Sequence, residues 1–141
     1  MCAIFGVIGI NDLGLVKKMS KVQEFRGPDK QNFFNDPKFN LCIGNNRLSI
    51  IDLSLNGIQP MHSNDNRYVI TFNGEIYNYK KLKADIGNKY KFNTTSDTEV
   101  LLAMLILYGL DSLKSINGMF SFCFYDVDKN LYTLVRDRFG Q

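Results

Sequence analysis

Val100-Leu-Leu-Ala-Met-Leu-Ile-Leu-Tyr108 is apolar on every side of a helical turn. Ser96-Asp-Thr-Glu99 ahead of it fits a capping box, and Gly109 fits a stop. A helix that is apolar all round must be covered all round. One sheet buries one face only. The chain therefore needs further cover for this helix: a second helix, a partner subunit such as a second copy in a homodimer, or sequence beyond its 141 residues. The run is far short of the roughly 18 residues that a membrane span requires, so no membrane partner is expected.

The rest of the chain alternates between strand and helix patterns. Residues 3–10 are β-branched and nearly all apolar, as in a strand covered on both faces. Leu13, Val16, Met19 and Val22 form a stripe with Lys17, Lys18 and Lys21 off it, which predicts a short amphipathic helix ended by Arg26-Gly-Pro-Asp29. Residues 31–35 and 39–51 read as strands around an Asn35-Asp-Pro37 turn, 53–66 as a loop, and 67–72 as an alternating strand. Ile76, Tyr79, Leu82 and Ile86 take helical spacing, and residues 119–126 and 131–136 read as a hairpin over 127–130. Strands with three helices and a terminal hairpin predict an α+β layered domain.

Composition narrows the function classes. Seventeen Lys plus Arg against fourteen Asp plus Glu give a net charge of +3, with no basic cluster, which argues against a nucleic-acid partner. One histidine, His62, makes a His-rich metal site implausible and reads as a surface residue. Cys2, Cys42 and Cys123 form no CxxC pair, which indicates a reduced, cytoplasmic chain, with Cys42 and Cys123 as small core residues. Asp126-Val-Asp-Lys-Asn130 imitates the start of a calcium loop, but Leu131 stands where the sharp turn needs Gly, so a polar hairpin turn is the reading.

Cys2 follows the initiator Met. Removal of Met1 would put a nucleophilic thiol and a free α-amine, whose ordinary pKa of about 7.7–8.0 suits a general base, on one residue. Asn73-Gly74 would normally suggest a hairpin turn, but the residues after it take helical spacing. An Asn amide beside a Gly N–H offers two neutral donors to a developing oxyanion. Arg47, near a strand end, is either a surface residue or a fork for a substrate carboxylate. Asp97 opens its helix, where it complements the helix dipole.

Together with Cys2-Ala-Ile-Phe-Gly-Val, Arg26-Gly-Pro-Asp29, Arg47-Leu-Ser-Ile-Ile-Asp-Leu53, Gln59-Pro-Met61, Asn73-Gly-Glu-Ile-Tyr-Asn78, Ser96-Asp-Thr-Glu99, Gly118-Met-Phe-Ser-Phe122 and Arg136-Asp-Arg-Phe-Gly140, these residues follow one order along the chain. In that order they resemble the N-terminal glutaminase domain of glutamine-hydrolysing asparagine synthetases, class II glutamine amidotransferases of N-terminal-nucleophile hydrolase type. The resemblance implies a four-layer αββα sandwich, two antiparallel sheets between helices. It implies Cys2 as nucleophile after Met removal, Asn73 and Gly74 as oxyanion hole, and Arg47 on the glutamine α-carboxylate. Asp97 and Glu75 would lie near the α-ammonium, and Leu48 and Ile50 would supply pocket backbone. L-Glutamine is the implied substrate, and an ammonia-accepting synthetase domain or subunit the implied partner. ATP and Mg would belong to that synthetase part, and this chain would carry no cofactor.

Two positions depart from the pattern, Phe25 where His is usual and Asn46 where His or Glu is frequent. Both are expected to alter packing more than chemistry. The family continues past Arg136-Asp-Arg-Phe-Gly140 with further strands, whereas this chain stops at Gln141, which predicts an incomplete domain with an apolar surface left uncovered. Two other readings remain open at this level. One is a non-catalytic relic or glutamine sensor; the other is a glutaminase serving a synthetase with a different carboxylate acceptor.

Overall fold

The strand buried at every position is the polar-looking one. Leu-Cys-Ile-Gly-Asn-Asn-Arg forms β3 (Leu41–Arg47), which lies in the middle of a three-stranded antiparallel sheet between β1 (Ala3–Ile8) and β2 (Lys30–Asp36). The computed structural model describes residues 2–52 and 54–140. Leu41 and Ile43 point from β3 onto Val69, and Asn45 reaches Thr71, both on β5 (Tyr68–Ile76) of a second sheet. Asn46, one residue on, faces the opposite way. Its amide donates to the Ser20 carbonyl at 2.7 Å and accepts from the Ser20 hydroxyl at 2.6 Å, on helix α1 (Leu13–Val22). Alternation along one strand thus separates the layer of α1 from the layer of the second sheet.

The second sheet is antiparallel in the order β4-β5-β6-β7, with β4 at Met61–His62, β6 at Gly118–Asp126 and β7 at Leu131–Arg136. Val69 and Thr71 of β5 face the first sheet, while Ile70, Phe72 and Ile76 face helix α3 (Asp97–Tyr108). Helix α2 (Tyr79–Ile86) packs against α3 through Leu82 and Ile86. The order of layers is α1, first sheet, second sheet, then α3 with α2: an α+β, αββα sandwich.

Several expectations are corrected. Every residue of α3 from Asp97 to Leu105 is buried, because β5 and β6 cover one side and α2 the other. Of the covers expected for the all-apolar helix, the structure has the second helix, α2, and Tyr108 at the helix end stays exposed. β1 ends at Ile8, since Gly9 takes a φ of +85°, and it is not covered on both faces: as an edge strand it buries only Ala3. The strand expected over 39–51 is shorter at both ends; residues 48–52 leave the sheet. The segment read as a loop over 53–66 contains β4. β5 runs on through Asn73 and Gly74 to Ile76, so Ile76 belongs to the strand and not to α2. Large exposed apolar side chains are spread over the surface, among them Val22, Ile50, Leu110, Leu134 and Phe139, with Tyr108 at the end of α3. Phe25 is exposed. Expectations placed on Met1 and Gln141 lie outside the described residues, as does Leu53.

Other expectations hold. Cys42 and Cys123 are buried, and burial pushes the Cys123 thiol up to about 11. Residues 127–130 turn between β6 and β7, with the Asp126 carboxylate paired to Arg67 at 3.0 Å and accepting from the Lys129 N–H at 3.2 Å. Ser96 caps α3 by accepting from the Glu99 N–H at 3.2 Å. Glu99 turns to the N–H groups of Asn93 and Thr94 instead of that of Ser96, at 2.9 and 2.7 Å. His62 is exposed and meets the Phe34 ring edge-on.

Candidate active site

A cavity opens where β3 ends, between the near ends of both sheets and the N-terminus of α3. Cys2, Arg47, Leu48, Ile50, Gly74, Glu75 and Asp97 all line it. Cys2 immediately precedes β1. Its Sγ accepts from the Leu48 N–H at 3.4 Å and its thiol donates to the Leu48 carbonyl at 3.7 Å. The Arg26 Nε donates to the Cys2 carbonyl at 3.4 Å. The Arg26-Gly-Pro-Asp29 stretch does more than end a helix. Asp29 accepts from the Ser49 N–H at 2.7 Å and donates its own N–H to the Arg47 carbonyl, fixing the backbone that carries Leu48. A Cβ on Gly27 would lie 2.1 Å from the Asn46 carbonyl oxygen, so only glycine fits this approach.

Arg47 is 8% exposed. Its Nη1 donates to the Ser54 carbonyl at 2.9 Å and its Nη2 to the Asp52 carbonyl. Among the described residues no carboxylate lies within ion-pair distance of this guanidinium. A nearly buried cation held by neutral carbonyls keeps a net charge for an anionic ligand, since an unpaired buried charge is costly.

Asp97, 5% exposed, is the complementary group. Its Oδ2 accepts from the Ile76 N–H at 2.9 Å, which ties the start of α3 to the end of β5. Burial pushes its carboxyl above the ordinary carboxylate range, and the charge of Glu75 adds to this, against opposing backbone donors of Ile76 and Thr98. The cavity thus presents a cation at one side and buried carboxylate at another, the pattern that an α-amino acid requires.

Asn73 is set differently from the rest. It stands in β5 between Phe72 and Gly74, which line the cavity, but is not itself a lining residue. Neither end of its amide has a hydrogen-bond partner among the described residues, and its Oδ1 is buried. Leaving such an acceptor unpaired costs about 1–3 kcal/mol. Gly74 has a φ of +154°, and a Cβ there would lie 2.1 Å from the Met119 carbonyl oxygen on β6.

Residues not singled out in the sequence also build the site. Gln59 accepts from the Phe72 N–H at 2.6 Å and donates to the Thr98 hydroxyl at 3.2 Å, joining β5 to α3 beside the cavity. Asp52 is 8% exposed and accepts from Ser54 and Thr95. Both belong to family motifs, Gln59-Pro-Met61 and Arg47-Leu-Ser-Ile-Ile-Asp-Leu53. Neither residue type announces burial, so composition and periodicity gave no signal for them. No group of three or more His, Cys, Asp or Glu is placed to hold a metal among the described residues, and no helix there is long and apolar enough to cross a membrane.

A family model described as a glutamine amidotransferase domain matches residues 1–141. The chain belongs to the glutamine amidotransferase domain family. This amidotransferase domain is 39% identical over 145 residues to asparagine synthetase B [glutamine-hydrolyzing] of Escherichia coli, covering 99% of the chain and 26% of that relative. It is 40% identical over 147 residues to asparagine synthetase [glutamine-hydrolyzing] 2 of Bacillus subtilis, covering 99% of the chain and 19% of that relative. The domain thus spans less than a third of the length of these curated relatives. Among solved structures it superposes on the glutamine phosphoribosylpyrophosphate amidotransferase of B. subtilis, solved with ADP and GMP. The TM-score is 0.53 at 26% identity, over 63% of this domain and 22% of that chain. The two antiparallel sheets between helices accord with the N-terminal-nucleophile hydrolase sandwich.

Proposed function

We propose that this domain hydrolyses the side-chain amide of L-glutamine through Cys2 and supplies the ammonia to an asparagine synthetase. The observation that carries the reading is the joint placement of Cys2, the charge-unpaired Arg47 and Asp97 around one cavity. Similarity to the glutamine-hydrolysing asparagine synthetases supports the choice of substrate and acceptor.

With Met1 removed, the Cys2 α-amine takes the thiol proton as Sγ attacks the side-chain amide carbon. The Gly74 N–H donates to the oxyanion, and the unengaged Asn73 amide, which lies behind the cavity wall, turns toward it as the second donor, a contribution of about 2.7–4 kcal/mol for one donor. The intermediate collapses with return of that proton to the leaving nitrogen, giving ammonia and a Cys2 thioester. Water then hydrolyses the thioester to glutamate. Arg47 takes the α-carboxylate, while Asp97 and Glu75 take the α-ammonium. Leu48 and Ile50 supply backbone at the pocket wall. A simple amide lacks both charged groups, which selects glutamine.

The ammonia would pass to a synthetase domain or subunit, and ATP and Mg²⁺ would belong to that part. The deciding experiment is ammonium release from L-glutamine by the Met-processed protein. Activity is expected for the natural sequence and none for Cys2→Ala. Equal release by the two proteins overturns the reading.

A further inference from the structure

The loop that carries Leu48 and Ile50 and the turn that leads into Asp97 come from distant parts of the chain, and one side chain joins them. Asp52 Oδ2 accepts from the Thr95 N–H at 2.9 Å and the Thr95 hydroxyl at 3.1 Å; Oδ1 accepts from the Ser54 N–H at 2.8 Å. The carbonyl of the same residue accepts from Arg47 Nη2, and the carbonyl of Ser54 from Nη1. Asp52 therefore grips the α3 approach with its carboxylate and the guanidinium with its backbone.

We propose that Asp52 is a positioning residue for the substrate's α-carboxylate and α-ammonium: it fixes the distance between Arg47 and Asp97. This rests on the reading of the cavity as a glutamine site. The chemistry favours this residue type. A carboxylate faces three donors, so each hydrogen bond is charge-assisted. Because that carboxylate is directed at Thr95 and Ser54, it leaves the Arg47 charge unspent for an incoming anion. A carboxylate paired directly to Arg47 would neutralise the group that must bind substrate. Thr95 is two residues ahead of Asp97, so a shift of Thr95 moves the ammonium site directly.

The test compares two reagents at Cys2 in the full chain, read by mass at the Cys2 peptide. One is a diazoketone analogue of glutamine that keeps both α-groups; the other is iodoacetamide, which has neither. Asp52→Asn is expected to slow the analogue about tenfold, about 1.4 kcal/mol, and to leave iodoacetamide within about twofold. Thr95→Val, which removes one of the three donors, is expected to slow the analogue about threefold, and it decides the matter should Asp52→Asn fail to fold. An undiminished analogue rate in the folded variants overturns the proposal. Equal slowing of both reagents also overturns it, since that is a general loosening of the site. Natural protein with no preference for the analogue overturns the glutamine reading and this proposal together; preference in the natural protein that survives in Asp52→Asn overturns this proposal alone.

Discussion

The Sγ of Cys2 lies 3.4 Å from the backbone N–H of Leu48, a residue 46 positions along the chain. That contact binds the start of β1 to the segment leaving β3, at the point where the chain swings from sheet to cavity wall. The thiol is therefore presented by a rigid edge and faces a wall that carries the residues for recognition. The chemical requirement that nucleophile and specificity groups share one small volume is met by two backbone segments, each anchored by its own set of hydrogen bonds.

Arg47 should govern affinity more than turnover. Arg47→Lys keeps the charge but loses the planar fork that reaches both the Ser54 and Asp52 carbonyls. Steady-state glutaminase assays are expected to show KM for glutamine raised by about tenfold or more, in line with about 1.5–3 kcal/mol for a hydrogen bond to a charged group, with a smaller change in kcat.

Asp97 should add a second step to the acid side of the pH profile, below the one that protonation of the Cys2 α-amine sets. Its carboxyl is raised above the ordinary value by burial, so it takes up a proton at a higher pH than an exposed aspartate does. The protonated form is neutral and cannot attract an ammonium group. Thus kcat/KM is expected to fall further as pH drops into the acid range, at a pH above that at which an exposed aspartate would titrate. Bound glutamine stabilises the ionised form, so the step in kcat should lie lower. Asp97→Asn should remove that lower step and leave the α-amine step at a reduced overall rate.

Gly74→Ala should be severe. The new Cβ would meet the Met119 carbonyl oxygen at 2.1 Å and the Phe120 Cα at 2.7 Å, both backbone atoms of the paired strand that cannot turn aside. Either β5 and β6 separate or the strand bulges, and in both cases the Gly74 N–H leaves its place. Loss of glutaminase activity, with a destabilisation of about 3 kcal/mol or more in urea titrations, is expected.

Asp52 should contribute to stability in a pH-dependent way. Hydrogen bonding from Ser54, and then from Thr95, lowers its carboxyl from an ordinary 3.8 to about 2. A carboxyl whose folded pKa is depressed stabilises the fold above its unfolded value, and that contribution is lost as pH falls through the folded value. The shift corresponds to about 2 kcal/mol. Asp52→Asn is expected to be less stable than the natural sequence by that amount at neutral pH, with the gap closing between about pH 4 and pH 2. Denaturant midpoints measured across that range check both the size and the sign.

The parts of the fold that are legible in the sequence are those where one physical rule acts alone. The periodic stripes of α1 and β5 and the Ser96 cap of α3 come from local patterning, and local patterning can be read along the chain. β1 and β3 show where this fails. The more apolar stretch forms a half-exposed edge, while Gly44, Asn45 and Asn46 lie in the centre. Strand order decides burial, and no local property of these residues records it. The candidate site divides in the same way. Cys2, Arg47 and Asp97 each allow a bland reading alone, and it is the ordered motifs of the family resemblance that single them out. Asp52 and Gln59 act through hydrogen bonds to backbone thirteen or more residues away, at Thr95 and Phe72, which only the folded chain defines. Asn73 sits between these cases: its motif is visible, but its place within β5 is hidden behind a turn-forming dipeptide.

The guanidinium of Arg47, sheltered from bulk solvent and without a carboxylate partner among the described residues, has a consequence for how the cavity fills. An interior cation of this kind attracts whatever small anions the medium offers, and any that lodge there must depart before an amino acid can enter. On the proposed function, the apparent appetite for glutamine is therefore a property of the surrounding electrolyte as well as of the polypeptide, and chloride and acetate buffers of equal ionic strength should rank it differently.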